Sequence, residues 1–214
     1  MNVLILACSK KEQEYCVAGK NIDSPTQWIR LVTNVNGNAL SFNKITTETG
    51  HTIAPLDVVT LENINSAPLF HQPENYVLNS PITFTETKYT IDQLQNFVDS
   101  PANLWGNNSP YISQRELNNN KPEHSLYLIN VSNLQIRYTE PSTPSTKPKT
   151  KASFTYNGVT YNNFSVTDPS IRENLNIEKA ILCISLAGSC TYPDKVNHPD
   201  WPRHYKIVAK VFYE

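Results

Sequence analysis

A mainly β fold, built as two small units in tandem, is predicted by three features of this chain. Fifteen prolines against six glycines in 214 residues suit short strands joined by ordered turns. Apolar runs of strand length recur from end to end, several of them alternating with period two. One Asn-Gly pair, Asn157-Gly158, sits between two alternating runs and marks a tight hairpin. The length holds one large all-β domain or two small ones. No repeat of 20 to 50 residues and no glycine-rich nucleotide loop competes with that reading.

The elements follow in order. Asn2 to Cys8 is an apolar run that reads as a buried strand. In "QWIRLVTNV", Ile29, Leu31 and Val35 face one way and Trp28, Arg30 and Val32 the other, with Asn36-Gly37 turning the chain. "PLDVVTLENI" is a third strand with its proline at the start. "TIDQLQNFVDSP" predicts one short helix near 90–99: Thr90 caps it, Ile91, Leu94, Phe97 and Val98 share a side, and Pro101 follows its end.

"SLYLINVSNLQIRYT" reads as one long strand bent at Ser132-Asn133. Glu140 to Lys151 has linker composition, extended and solvated. In "FTYNGVTY" a type I′ turn pairs Phe154 with Tyr161 and Tyr156 with Val159, leaving Thr155–Thr160 behind. "EKAILCISLAG" and "HYKIVAKVFYE" complete the strands. The boundary falls near 112–124, giving units 1–118 and 119–214.

Composition narrows the function. A net charge of −1 gives no global field for a polyanion, which leaves only a local basic groove. Four cysteines without a CxxC pair, no secretory leader and no membrane-length apolar run predict reduced thiols and a cytoplasmic protein with no membrane partner. Cys183, Cys190, His198 and His204 are spaced too widely for a structural zinc site, as are Cys8 and Cys16, so small buried cysteines and loop histidines are the plainer reading. Lys10 and Lys11 would favour a thiolate at Cys8 or Cys16, yet no positioned base or hydrolase signature accompanies them. Asp168, before Pro169, reads as a turn former rather than an acid–base group. The expectation is a non-enzymatic protein with no catalytic residue, metal or cofactor.

Polyanion binding fits better. Trp28 beside Arg30 on a strand face can stack a base and hold a phosphate, next to the loop bearing Lys10, Lys11 and Lys20. Lys147, Lys149 and Lys151 add a basic arm. The plainer alternatives are a Trp28 that caps the core, a solvated linker at Lys147–Lys151, and edge-protecting lysines at Lys206 and Lys210.

The ordered stretches "LACSKKEQEYCVAGKN…WIRLVT", "PLDVVTLE", "HQPENYVL", "SLYLINVSNLQI", "FTYNGVTYNNFSVTDP", "CISLAG" and "HYKIVAKVF" together resemble the bacterial dual OB-containing domain family. The resemblance spans nearly the whole chain. It implies two OB-like barrels and a role in recognising nucleic acid within prokaryotic antiviral systems, often beside effector proteins. Its patterns map onto Ser9, Lys10, Cys16, Gly19, Trp28 and Arg30, then His71, Gln72, Pro73, Glu74 and Asn75, then Asp168 and Pro169. Glu12-Gln13-Glu14 departs from the glycine-richer run expected there, and its two acids oppose the flanking lysines. An interleaved arrangement, with the first strand joining the second barrel, is a further alternative.

The leading expectation is a nucleic-acid-binding protein of a bacterial defence system, with single-stranded or structured DNA or RNA as partner. Trp28 stacks a base, Arg30, Lys10, Lys11 and Lys20 hold phosphates, and His71, Gln72 and Asn75 touch base edges or sugar, with Ser9, Lys147 and Lys149 alongside. The second expectation is a protein-interaction subunit that docks an effector or ATPase. A cysteine- or metal-dependent enzyme comes third.

Overall fold

The computed structural model describes residues 1–11, 14–141, 143, 148–192 and 200–214, with the side chain of Lys11 excluded. The chain divides into two compact units, Met1–Asp99 and Ser100–Tyr213, with Glu214 grouped with the first.

The first unit is a seven-stranded sheet. Strands β1 (Asn2–Lys11), β2 (Glu14–Asn21) and β3 (Ser24–Val32) form an antiparallel meander. Then come β4 (Asp57–Thr60), β5 (Ile64–Ser66), β6 (Asn75–Leu78) and β7 (Thr83–Lys88), in the spatial order β5-β6-β3-β2-β1-β4-β7. β6 runs parallel to β3, β5 pairs with β6, and β4 pairs with β1. β4 and β5 follow one another directly, so they act as one strand that changes partner around Glu62. Leu61 N–H still donates to Met1 O, while Asn79 N–H already donates to Asn63 O. This bent strand links the two ends of the ladder. Val3, Ile5, Val17, Ile29, Leu31, Val59 and Leu78 fill the space inside, each fully buried aliphatic contributing about 1.5–3 kcal/mol.

The second unit holds β8 (Tyr111–Ser113), α1 (Gln114–Asn119), β9 (Leu126–Thr139), β10 (Lys149–Tyr156), β11 (Val159–Val166), β12 (Leu175–Cys190) and β13 (Arg203–Phe212). The sheet runs β11-β10-β9-β12-β13-β8, and a further parallel pairing of β11 with β13 closes five of these strands into a barrel. This is the Greek-key order of a small five-stranded barrel, and β1, β2, β3, β4/β5 and β6 repeat it. The two sheets share no strand, so the barrels do not interleave.

The Asn157-Gly158 hairpin folds as expected. Both residues have positive φ, and the pairs are Phe154↔Tyr161, Thr155↔Thr160 and Tyr156↔Val159. Phe154 stacks on Tyr161 at 5.5 Å, and both are buried. Asn133 adopts φ 52° at the bend expected in β9. Asp168 is the turn former expected, its Oδ1 accepting from Ser170 N–H and its Oδ2 from Val211 N–H.

Four expectations are corrected. The helix near 90–99 is a 3₁₀ helix, Asp92–Phe97, that Thr90 does not cap; the Thr90 N–H and hydroxyl instead turn to Gln93 Oε1. Its two buried residues, Leu94 and Phe97, are three apart, the spacing a 3₁₀ helix eclipses. The boundary lies at Asp99/Ser100 rather than 118/119, because β8 pairs with β13 and α1 follows it directly. A capping box, Ser113 with Glu116, announces α1 in the sequence. Lys149–Lys151 belong to β10, not to a linker. Lys206 and Lys210 do not guard an edge, since β13 is flanked by β12 on one side and by β8 and β11 on the other. Ala209 is an extra residue between the pairs Ile184↔Val208 and Cys183↔Lys210, so Lys206 points inward while Lys210 reaches Asp168 at 3.0 Å.

Candidate nucleic-acid interface

Trp28 and Arg30 share a strand face, but that face is covered. Lys20 and Trp28 are cross-strand partners, and both side chains are interred, at 1% and 2% exposure. Asp99, just past the 3₁₀ helix, accepts from Trp28 Nε1 at 3.1 Å and from Lys20 Nζ, which also donates to Phe97 O. Arg30 is buried against Glu74, with its Nε 3.2 Å from the Glu74 carboxylate. A stacking ring and phosphate-holding cations on the first barrel are thereby ruled out at Trp28, Arg30 and Lys20. Each charge already has an internal carboxylate, and the indole has no face open to a base.

The other first-unit candidates do not assemble into a surface either. Ser9 is buried, and Lys10 is exposed with its ammonium 6.0 Å from the Tyr15 ring. Lys11 has no described side chain. His71 is half-buried, while Gln72 and Asn75 are buried. Both polar atoms of Asn75 lack a hydrogen-bond partner among the described residues, and Gly37, at φ 77°, packs over its amide. Cys8 is no activated thiol. Burial, then Cys16 and Asp57, push its pKa up to about 11, against the thiolate that Lys10 and Lys11 were expected to favour. A cleft of about 280 Å³ in this unit is lined by Glu48, Glu62 and hydroxyl groups, the wrong sign for a polyanion.

The second barrel offers the opposite surface. β11 pairs with β13 at Ser165↔Ile207 and Val166↔Val208. Toward their N-termini the two strands part, and β8 takes the freed edge of β13 at Arg203–Tyr205. The splay leaves a cleft of about 210 Å³, with Lys151, Asn163 and Ser165 on one side and Tyr111, Arg203 and Tyr205 on the other. Alternation along β13 buries His204, Lys206 and Val208 and turns Arg203, Tyr205 and Ile207 outward. On β11, Asn162 and Asn163 oppose the single residue Ser153, a bulge with Asn163 in the left-handed region at φ 66°.

The outer wall is a ladder of rings around one guanidinium. Arg203 Cζ lies 3.8 Å from the centre of the Tyr111 ring and 4.7 Å from that of Trp201. Tyr192 meets Trp201 edge-on at 5.2 Å, and Tyr205 meets Tyr111 at 6.1 Å. Both rings pack against the guanidinium, which also bonds the Tyr205 side chain through its N–H edge. Among the described residues its Nε is buried without a hydrogen-bond partner, and the exposed Asp200 carboxylate is 3.7 Å from its Nη2. Opposite, Lys151 Nζ donates to Ser165 Oγ at 2.9 Å. Burial, then the charge of Lys149, holds its pKa below the ordinary lysine value. Lys149 is exposed two residues along the same strand, so of the expected basic arm it does join this face. Lys147 and His198 lie outside the described residues.

Sequence reasoning missed Trp201, Arg203, Tyr111 and Tyr205. The signal was present: Trp201-Pro202-Arg203 repeats the Trp-x-Arg spacing of Trp28-Ile29-Arg30 at the entry to a strand. His204, weighed as a zinc ligand, is buried between Ala187 O and the Gln114 side chain. Among the described residues no three His, Cys, Asp or Glu side chains are grouped to hold a metal, and no helix is long and apolar enough to cross a membrane.

A closed five-stranded Greek-key barrel with a cleft beside its second and third strands is an OB barrel, a fold that binds oligonucleotides or oligosaccharides on that face. A second sheet of matching strand order precedes it in the chain. The model of the dual OB-containing domain family matches residues 1–211, and the chain belongs to that family. No curated protein and no solved structure matches it.

Proposed function

We propose that this protein binds single-stranded or unpaired nucleic acid, without acting on it chemically, across the outer face of its second barrel. The Trp201–Arg203–Tyr111–Tyr205 ladder facing Lys151 across one cleft carries the reading. Rings stack bases at about 1–3 kcal/mol each, and few cations are then needed for affinity. This accounts for binding by a protein of net charge −1. The role in bacterial conflict systems that the family resemblance implies supports a cytoplasmic sensor or accessory role in antiviral defence.

Labelled single-stranded DNA and RNA oligonucleotides, titrated at low and moderate salt by fluorescence anisotropy, test the proposal. The expected result is binding that weakens as salt rises and that falls on Arg203→Ala and Tyr205→Ala. No binding of either nucleic acid at either salt ends it.

A second reading, docking of a protein partner, draws on the first barrel. Val35 and Phe70 are 68% and 44% exposed on turns brought together where Gly37 packs on Leu69. Reversing Lys149 and Lys151 to Glu separates the two: oligonucleotide affinity collapses on the first reading, and assembly with an effector survives on the second.

A further inference from the structure

We propose that the cleft between β11 and β13 receives a phosphomonoester carried on a nucleotide, as a distinct subsite at the end of the binding face. The inference rests on the second barrel's outer face being the ligand surface. It adds to that reading the chemistry of one end.

The cleft is donor-rich and acceptor-poor. Arg203 lines the cleft, its guanidinium packed against the Tyr111 and Trp201 rings and joined to the Tyr205 side chain, and its Nε has no hydrogen-bond partner among the described residues. Ser165 Oγ accepts from Lys151, so its own hydrogen is free to turn toward a ligand. Lys151 has two further N–H groups and no carboxylate partner among the described residues, only the like charge of Lys149 nearby. Asn163, set in the left-handed conformation by the β11 bulge, adds an amide to the rim. A phosphodiester within a strand brings one charge and two free oxygens. A phosphomonoester brings up to two charges and three acceptor oxygens, a better match to a lysine, an arginine and a hydroxyl converging from opposite walls. Tyr111 and Tyr205, on the same wall as Arg203, are placed to flank the attached nucleoside. At about 210 Å³ the cleft has room for a phosphate group and part of its nucleoside, whereas a strand passing through needs an open groove.

The test compares one oligonucleotide sequence with a 5′-phosphate, a 3′-phosphate or hydroxyls at both ends, and uses adenosine monophosphate as competitor. The expected result is about tenfold tighter binding of one phosphorylated form. That ratio should fall to about one in Lys151→Gln and in Ser165→Ala, whatever the overall affinity. Preference for a phosphorylated end assigns the subsite to strand termini. Competition or direct binding by adenosine monophosphate with no end preference assigns it to free nucleotides. Equal binding of all three oligonucleotides with no effect of the monophosphate overturns the inference and leaves strand binding standing. If no oligonucleotide binds but the monophosphate does, the strand reading fails and the subsite survives. Should a variant not fold, the end preference of the unaltered protein decides alone.

Discussion

Trp28-Ile29-Arg30 in the first barrel and Trp201-Pro202-Arg203 in the second carry the same residue pair at the same spacing. In the first, a carboxylate answers each polar group: Asp99 takes the indole N–H and Lys20, and Glu74 takes the guanidinium. In the second, the guanidinium packs against two rings, its Nε has no hydrogen-bond partner among the described residues, and an exposed carboxylate is 3.7 Å away. A tryptophan and an arginine on one strand face therefore do not define a binding surface. What defines it is whether the chain supplies its own counter-charges. The same contrast separates two interior lysines. Lys20 meets Asp99, whereas Lys206 donates to the backbone oxygen and side-chain Oδ1 of Asn107, each at 2.7 Å, and has no carboxylate partner among the described residues.

The contrast can be broken most forcefully at Asp99. Asp99→Ala leaves Lys20 buried without its counter-charge and should cost about 3–5 kcal/mol of stability by urea denaturation. Nucleic-acid binding by the second barrel should persist where the variant remains folded. Next in size, Arg203→Ala should weaken oligonucleotide affinity by about 2 kcal/mol, roughly 30-fold, with little change in melting temperature. If stability falls and affinity does not, the two regions are alike after all.

The lysine contrast shows in pH dependence. Burial lowers Lys206 to about 7 from 10.5, with the charge of Glu116 opposing. Between those values the unfolded chain holds the extra proton, so stability rises with pH, by up to about 1.4 kcal/mol per unit, and below about pH 7 this contribution is flat. Denaturation between about pH 7 and 8.5 should show a gain of about 1–2 kcal/mol that Lys206→Met abolishes. The range stops short of Cys8, whose raised value acts in the opposite sense above 9.0. The smallest effect belongs to Trp28→Phe, which keeps an aromatic ring but loses the bond to Asp99 and part of the buried indole volume. It should cost about 1–2 kcal/mol, the lost bond and the small cavity together, and leave oligonucleotide affinity unchanged.

What was legible in the sequence was what neighbours decide. The Phe154–Tyr161 hairpin could be read to the residue because Asn157-Gly158 and a period of two fix its register locally. The fate of Trp28 and Arg30 could not, since Asp99 and Glu74 lie 71 and 44 residues further along the chain. The boundary was misplaced for a related reason. β8 is three residues long, and only its pairing with β13, some ninety residues later, assigns it to the second unit. Lys149 was found, though as an arm rather than a strand residue, because proline and lysine composition disguised the start of β10.

The bulge on β11 has a consequence for how this surface can change. Asn162 and Asn163 stand where the neighbouring strand needs one residue: the interior pairs on either side, Phe154↔Tyr161 and Ala152↔Phe164, are two residues apart on β10 and three on β11, so the surplus residue is taken up outside the interior. The barrel thus carries at the rim of this cleft a position that its interior does not use. Shape and donor content there can be rewritten one residue at a time, leaving folding and recognition to be adjusted separately.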